Sequence, residues 1–114
     1  MADGGRRATV ADLLGRLPRP NGERFAVAFE RGSLTVELYA PRGSDPQKPH
    51  DRDEVYVVMH GSGEFVCRDD RFDFGPGDLL FAPAGAVHRF ENFTGDLTVW
   101  VIFYGPRGGE LPGG

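Results

Sequence analysis

Along most of the chain, hydrophobic residues alternate with polar ones at the period of two that is typical of β-strands. Eight short segments show this alternation or are rich in β-branched and aromatic residues: RFAVAFE, SLTVELYA, EVYVVMH, GEFVCRD, RFDF, GDLLFAP, VHRFENF and DLTVWVIFYG. Turn-forming stretches such as PRGSDPQKP, HGSG, GPGD and PAGA separate them. Eight short strands at this spacing predict an all-β domain, either a sandwich or a small barrel.

One segment near the N-terminus, ATVADLLGRLPRP, has helical spacing instead. Thr9 is a suitable N-cap, Pro18 is expected to stop the helix, and the apolar residues share one face: Val10, Leu13, Leu14 and Leu17. We therefore expect a helix-bearing arm over residues 1–22, a β-barrel domain over residues 23–105 and a flexible tail over residues 106–114.

The last strand segment, LTVWVIFY, is apolar on both faces. Leu97, Val99, Val101 and Phe103 lie on one face, and Trp100, Ile102 and Tyr104 lie on the other. A strand with one face in water would alternate, so either the N-terminal helix or a second copy of the chain covers the other face. We favour the second copy and expect a homodimer.

Length, charge and cysteine content narrow the class of protein. The chain of 114 residues is enough for one domain. Its net charge is −4 and no cluster of Lys or Arg exceeds two neighbours, which argues against nucleic acid or an anionic membrane as partner. No apolar stretch has the length of a signal peptide or a membrane span, so a cytoplasmic location is expected. The single cysteine, Cys67, excludes an intramolecular disulfide and is interpreted as a packed residue.

Two of the three histidines are candidates for metal binding. His50 and Glu54 are four positions apart, so both can point to one side of a strand region. His88 follows the PAGA turn at the start of another predicted strand. Two imidazoles and a carboxylate suit a divalent transition metal with open coordination positions. The third, His60, lies about 20 Å along the strand from Glu54 and is interpreted as structural or exposed.

These candidates fall in two stretches that resemble the two conserved motifs of the cupin superfamily, within a region of similarity over residues 34–104. The second family motif, G(X)5PXG(X)2H(X)3N, is matched at every fixed position: Gly77, Pro83, Gly85, His88 and Asn92. The first, G(X)5HXH(X)3,4E(X)6G, is matched at His50, Glu54 and Gly61.

The resemblance implies a double-stranded β-helix, the jelly-roll barrel of small single-domain cupins, preceded by the short helix. It also implies a metal inside the barrel, held by His50, Glu54 and His88. The donor set accepts Fe, Mn, Ni, Co, Cu or Zn. The superfamily includes dioxygenases, isomerases, decarboxylases and lyases, and the fold alone does not select among them.

The chain departs from the first motif where the family has its first histidine, because Lys48 stands there. A protonated ammonium is not a metal ligand. Three explanations remain open: Gln47 supplies an oxygen ligand, Lys48 holds an anionic group of a substrate, or the site is degenerate. We rank a three-ligand site completed by water first, a site assisted by Gln47 second and an empty pocket third.

Strand alternation also predicts the wall of the pocket. Counting from Glu54 places Tyr56 and Val58 inward, and counting from His88 places Phe90 and Asn92 inward, with Tyr39 near the mouth. Such a pocket suits a small organic molecule. The chain is therefore expected to be either a metal-dependent enzyme or a non-catalytic cupin that binds or senses a ligand. Acidic residues next to the motif, Asp51 and Asp53 among them, are interpreted as solvated charges of turns.

Overall fold

The computed structural model describes residues 4–111 and confirms an all-β fold with one short helix in that range. Helix α1 spans Val10–Leu14. The eight strands are β1 Phe25–Arg31, β2 Leu34–Tyr39, β3 Asp53–His60, β4 Gly63–Cys67, β5 Asp70–Phe74, β6 Leu79–Ala82, β7 His88–Glu91 and β8 Thr98–Tyr104. Each of the eight segments predicted as strands coincides with one of these strands, and none of the strands extends more than one residue beyond its segment.

Two antiparallel sheets face each other and enclose the core. One sheet has the order β1-β2-β8-β3-β6 and the other the order β5-β4-β7. Tyr56 of the larger sheet lies edge-on to Phe65 and Phe90 of the smaller sheet, with ring centroids 5.6 and 5.1 Å apart. All three side chains are buried, and such edge-to-face contacts are favourable beyond their buried area. This arrangement is the double-stranded β-helix that the motifs imply.

Helix α1 covers part of the outer face of the larger sheet. Thr9 caps it by accepting a hydrogen bond from the backbone N–H of Asp12, as predicted. Leu13 packs with Leu38 of β2, and Trp100 of β8 packs against the same cluster. The helix thus covers one part of the apolar outer face of β8. In residues 4–111 there is no helix long and apolar enough to cross a membrane.

Asp53 is not the solvated turn charge that the sequence suggested. It is buried, its Oδ1 accepts the backbone N–H of Ala84, and its Oδ2 accepts the backbone N–H of Glu110. Gly108 also donates its backbone N–H to the carbonyl oxygen of Asp51. Residues 106–110 therefore fold back onto the start of β3, which differs from the loose tail expected there. Residues 112–114 of that predicted tail lie outside the described range.

Asn92 corrects a second expectation, because it does not point into the barrel. Its backbone has a positive φ of 50°, so strand alternation breaks at this residue. Its exposed side chain donates a hydrogen bond to Oε1 of Glu64 on β4. Asn92 therefore ties down the end of β7, the structural role that the spacing left open. Phe90, two residues earlier, is buried inward as predicted.

Gly61, the last residue of the first motif, lies where two chain segments approach too closely for a side chain. Its φ is 89°, and a Cβ built there would lie 2.7 Å from the Cα of Leu97. A side chain would both strain the backbone and push away the segment that leads into β8. The glycine thus allows the connection between β3 and β4 to lie against the segment that leads into β8.

Candidate metal centre

Three elements bring the predicted donors together inside the barrel. Glu54 is the second residue of β3, His88 is the first residue of β7, and His50 lies in the loop that precedes β3. Nδ1 of His50 is 2.7 Å from Oε2 of Glu54, and Nε2 of His88 is 3.2 Å from Oε1 of Glu54. The donor atoms of the three residues all lie within 4.8 Å of one another.

The facing atoms of this triad lack hydrogen-bond partners among the described residues. Nδ1 of His50, Oε1 of Glu54 and Nε2 of His88 are buried, yet none meets the geometry of a hydrogen bond. An unsatisfied buried polar atom is costly, and native structures seldom leave several in one place. Three that converge on one point fit a bound cation, since nitrogen, oxygen and nitrogen donors are the ligands of divalent transition metals.

The orientation of His88 is fixed by a backbone group. Its Nδ1 lies 2.9 Å from the carbonyl oxygen of Ala86, in the turn before β7. A carbonyl oxygen only accepts, so this contact places the proton on Nδ1 and leaves the lone pair of Nε2 facing Glu54. Metal-binding histidines are commonly held in this way. The local sequence PAGAVH thus sets both the position and the tautomer of the ligand.

Charge in the triad is arranged for a carboxylate that stays ionised. Burial alone would raise the pKa of Glu54, but the imidazoles of His50 and His88 outweigh it and hold this pKa at about 2. Burial acts to lower the pKa of His88, but the Glu54 carboxylate and the Ala86 carbonyl outweigh burial, so the pKa of His88 is raised. A cation bound between these groups would neutralise the Glu54 carboxylate in place of protons on the two imidazoles.

A second carboxylate, Asp45, organises the loop beside the triad. Asp45 accepts hydrogen bonds from the hydroxyl of Tyr39, the side-chain amide of Gln47 at 2.7 Å and the backbone N–H of Phe90 at 2.8 Å. The hydroxyl of Tyr56 donates to Oε1 of Gln47 at 2.9 Å. The side chain of Gln47, our second-ranked ligand, is therefore engaged with Tyr56 and Asp45.

Lys48 lies apart from the triad. It is exposed, and it is not among the residues that line the cavity in front of His50. It lies between Pro46 and Pro49 in the irregular segment that connects β2 to β3. The structure thus brings together His50, Glu54, His88, Tyr56, Phe90, Tyr39 and Gln47, and leaves Lys48 at the surface.

In front of His50 the barrel opens into a cavity of about 640 Å³, here called the mouth cavity. Its lining includes His50, Glu37, Tyr39, Gln47, Arg24, Arg42 and Arg52. This volume is that of a small-molecule site. Strand β2 turns Thr35, Glu37 and Tyr39 toward the cavity, while Leu38 packs under α1 on the opposite face. The polar face of β2 therefore points inward.

Glu37 lies on the wall of the mouth cavity and takes up a proton more readily than an ordinary glutamate. Burial is the main cause, and the nearby Glu54 carboxylate adds to it. His50 opposes the shift, yet the pKa rises from 4.5 to about 7. Near neutral pH a substantial fraction of Glu37 is therefore a neutral carboxyl group that is able to donate a hydrogen bond into the cavity.

Glu37→Gln is expected to stabilise the metal-free protein at pH 8 and to leave its stability nearly unchanged at pH 4.5. Because the folded-state pKa of about 7 lies above the reference value of 4.5, the folded wild type loses stability as the pH rises through this range. Discounted for contact with water in the cavity, the gain at pH 8 should be about 1–2 kcal/mol.

Urea unfolding at several pH values in the presence of a chelator measures this difference. Asp69→Asn, in the turn between β4 and β5, reports the effect of removing an exposed carboxylate that does not act on Glu37. A difference between Glu37→Gln and wild type that is the same at pH 4.5 and pH 8 would contradict the prediction.

A jelly-roll barrel with a His–Glu–His donor set inside defines a class of metal-site proteins, and comparison with known sequences gives the family. The Cupin_2 profile (Cupin domain) matches residues 35–104, so the chain belongs to the cupin superfamily. An uncharacterized protein of Streptomyces coelicolor is 36% identical over 77 residues, which cover 66% of this chain and 73% of that protein.

Two further relatives extend the comparison. An acireductone dioxygenase of Granulibacter bethesdensis is 32% identical over 105 residues, covering 69% of this chain and 58% of that enzyme. Among solved structures, a Cupin 2 conserved barrel domain protein of Salinispora arenicola superposes with a TM-score of 0.64 at 21% identity, covering 92% of this chain and 91% of that one. The dioxygenase is thus a longer protein of which this chain spans just over half, and the Salinispora protein supports the fold.

Proposed function

We propose that this cupin binds one divalent transition metal through His50, Glu54 and His88 and acts on a small oxygenated organic molecule that enters by the mouth cavity. One observation carries the proposal: three buried donor atoms without hydrogen-bond partners converge beside an open cavity. A metal bound there supplies Lewis-acid or redox chemistry at its remaining coordination positions.

The residues of the chain itself provide the setting for that chemistry. The Ala86 carbonyl holds His88 in the tautomer that exposes Nε2, and the ionised Glu54 offsets one positive charge of a divalent ion. Phe103 packs edge-on to the His50 ring at 5.0 Å and limits water on that side. The similarity to an acireductone dioxygenase supports a reaction on an oxygenated substrate.

A second candidate function is a binding or sensing module without turnover. The number of metal ligands favours it. An exposed lysine takes the position of the first histidine of the motif, so three side chains remain as candidate ligands. A three-ligand site binds metal less tightly than a four-ligand site of the same chemistry. Metal content that stays well below one ion per chain after loading would favour this alternative.

Cobalt loading tests the main proposal. The metal-free protein is expected to take up one Co²⁺ per chain, and acetohydroxamate, a two-oxygen chelator with no further charged group, is expected to change the visible spectrum of the bound ion. That change requires open coordination positions that a small molecule reaches through the mouth cavity. Failure to retain Co²⁺, or a spectrum that acetohydroxamate leaves unaltered, would refute the proposal.

We also propose that the chain forms a homodimer through the part of the outer sheet face that α1 leaves bare. Across this face Ile102 pairs with Val55 and Val55 pairs with Phe81, while Val57 pairs with Leu79. Leu79 and Phe81 are 69% and 50% exposed. Large apolar side chains grouped at a sheet edge favour association, and a second copy offers the same apolar surface.

The mass in solution tests the dimer. Sedimentation equilibrium at micromolar concentration is expected to give twice the chain mass of 12.5 kDa, and Phe81→Glu should restore the single mass. Val27→Glu is the matched control, because Val27 is 38% exposed but lies on β1, at the opposite edge of the larger sheet from β6. A single mass for the wild type would rule the dimer out.

A further inference from the structure

Arg52 stands in the mouth cavity without a carboxylate in direct contact. Its Nη1 donates to the carbonyl oxygen of Ser33 at 2.6 Å and lies 3.5 Å from the hydroxyl of Thr35. Among the described residues no carboxylate oxygen comes within 4.0 Å of its guanidinium, and Glu37 acts on it only at longer range. A partly buried guanidinium that is fixed in place but not neutralised is a ready-made partner for an anion.

The position of Arg52 connects it to the metal centre. Its guanidinium carbon lies 5.4 Å from the centre of the Phe103 ring, and the His50 ring lies 5.0 Å from the same centre. Both side chains also line the mouth cavity. The guanidinium and the imidazole of His50 thus both border the Phe103 ring, so that one small ligand in the cavity can reach both.

The other two arginines of the mouth cavity are held by backbone groups. Arg24 and Arg42 also line the cavity, and each donates to backbone carbonyl oxygens instead of carboxylates. Of the three carboxylates on the wall, Glu23 pairs with Arg19, Asp51 lies near Arg107, and Glu37 forms no ion pair with Arg52. The cavity thus presents guanidinium groups that no carboxylate of the described residues binds directly, which favours an anionic ligand.

We propose that Arg52 binds the carboxylate of a small organic acid whose other end chelates the metal, so that the substrate class of this centre is a carboxylic acid with separate metal-binding oxygens. This inference rests on the proposed function, because it places the chelating end at the His50–Glu54–His88 centre. The planar carboxylate matches the forked donors of one guanidinium. Arg52 thus takes the role of anion partner that was one of the three explanations considered for Lys48.

Two hydroxamates that differ only in their tails test the proposal on the Co²⁺-loaded protein. Succinate monohydroxamate carries a carboxylate tail, and its amide carries a neutral tail of the same shape. The wild type is expected to bind the acid at least roughly tenfold more tightly than the amide, as judged by spectral titration. Arg52→Gln is expected to bind both equally, with acetohydroxamate affinity unchanged, and Arg52→Lys should recover part of the preference.

Arg16→Gln is the matched control, because it removes the same charge from an exposed position outside the cavity. It should keep the full preference for the acid. Equal binding of acid and amide by the wild type, or a preference that survives in Arg52→Gln, overturns the role of Arg52 and leaves the metal centre standing. Failure to bind Co²⁺ or acetohydroxamate overturns the metal centre, and this substrate class with it.

Discussion

Replacing His88 with alanine is expected to lower metal affinity by at least about 100-fold, so that the purified protein no longer retains an ion at stoichiometric level. Loss of an outer partner of a ligand already costs roughly 10–100-fold in affinity, and loss of the ligand itself costs more. His88 is the ligand whose direction is fixed by the Ala86 carbonyl, so no neighbouring group is poised to replace it.

His60→Ala provides the matched control. His60 is the remaining histidine of the chain, lies at the far end of β3 from Glu54 and is exposed. It should keep wild-type metal content by inductively coupled plasma mass spectrometry and wild-type affinity in competition with a chelator. Equal metal content in His88→Ala and His60→Ala would show that the ion binds elsewhere.

Asp45→Ala is expected to lower the free energy of unfolding by about 2–4 kcal/mol. The substitution removes one carboxylate and leaves three hydrogen-bond donors without their acceptor. These donors are the hydroxyl of Tyr39, the side-chain amide of Gln47 and the backbone N–H of Phe90. Each buried donor left without a partner costs about 1–3 kcal/mol, and partial access of water reduces the sum. The effect is therefore larger than that of an ordinary loop substitution.

Denaturant unfolding of the metal-free protein measures this loss. Asp51→Ala is the control, because Asp51 is an exposed aspartate six residues away, and its 3.6 Å contact with Arg107 is a surface pair. It should change stability by less than about 0.5 kcal/mol. An Asp45→Ala protein as stable as Asp51→Ala would show that the Asp45 bonds do not hold the loop.

The fold and the three donors follow from local features of the sequence. Alternation, together with β-branched and aromatic content, indicated all eight strands, and the resemblance to the two cupin motifs implied that His50, Glu54 and His88 meet inside a barrel. Such features are readable because each depends on a few neighbouring residues: turn glycines set the ends of the strands, and alternation sets which side chains point inward.

The parts that the sequence did not predict depend on contacts between distant segments. Asp45 meets the backbone of Phe90, and Asp53 meets the backbones of Ala84 and Glu110. A backbone N–H leaves no trace in residue identity, so an aspartate that binds one looks like an aspartate in a turn. Arg52 was missed for the same reason, since its fixed partner is the Ser33 carbonyl.

The unequal burial of the three donors has a kinetic consequence. The side chains of Glu54 and His88 are 1% exposed, whereas that of His50 is 36% exposed and lies in a loop. An ion held by the triad would therefore part first from His50, the ligand that water and chelators reach, and on binding would meet His50 last. The rate of metal exchange would then follow the opening of the His50 loop, which the hydrogen bond from Gly85 to the His50 carbonyl restrains.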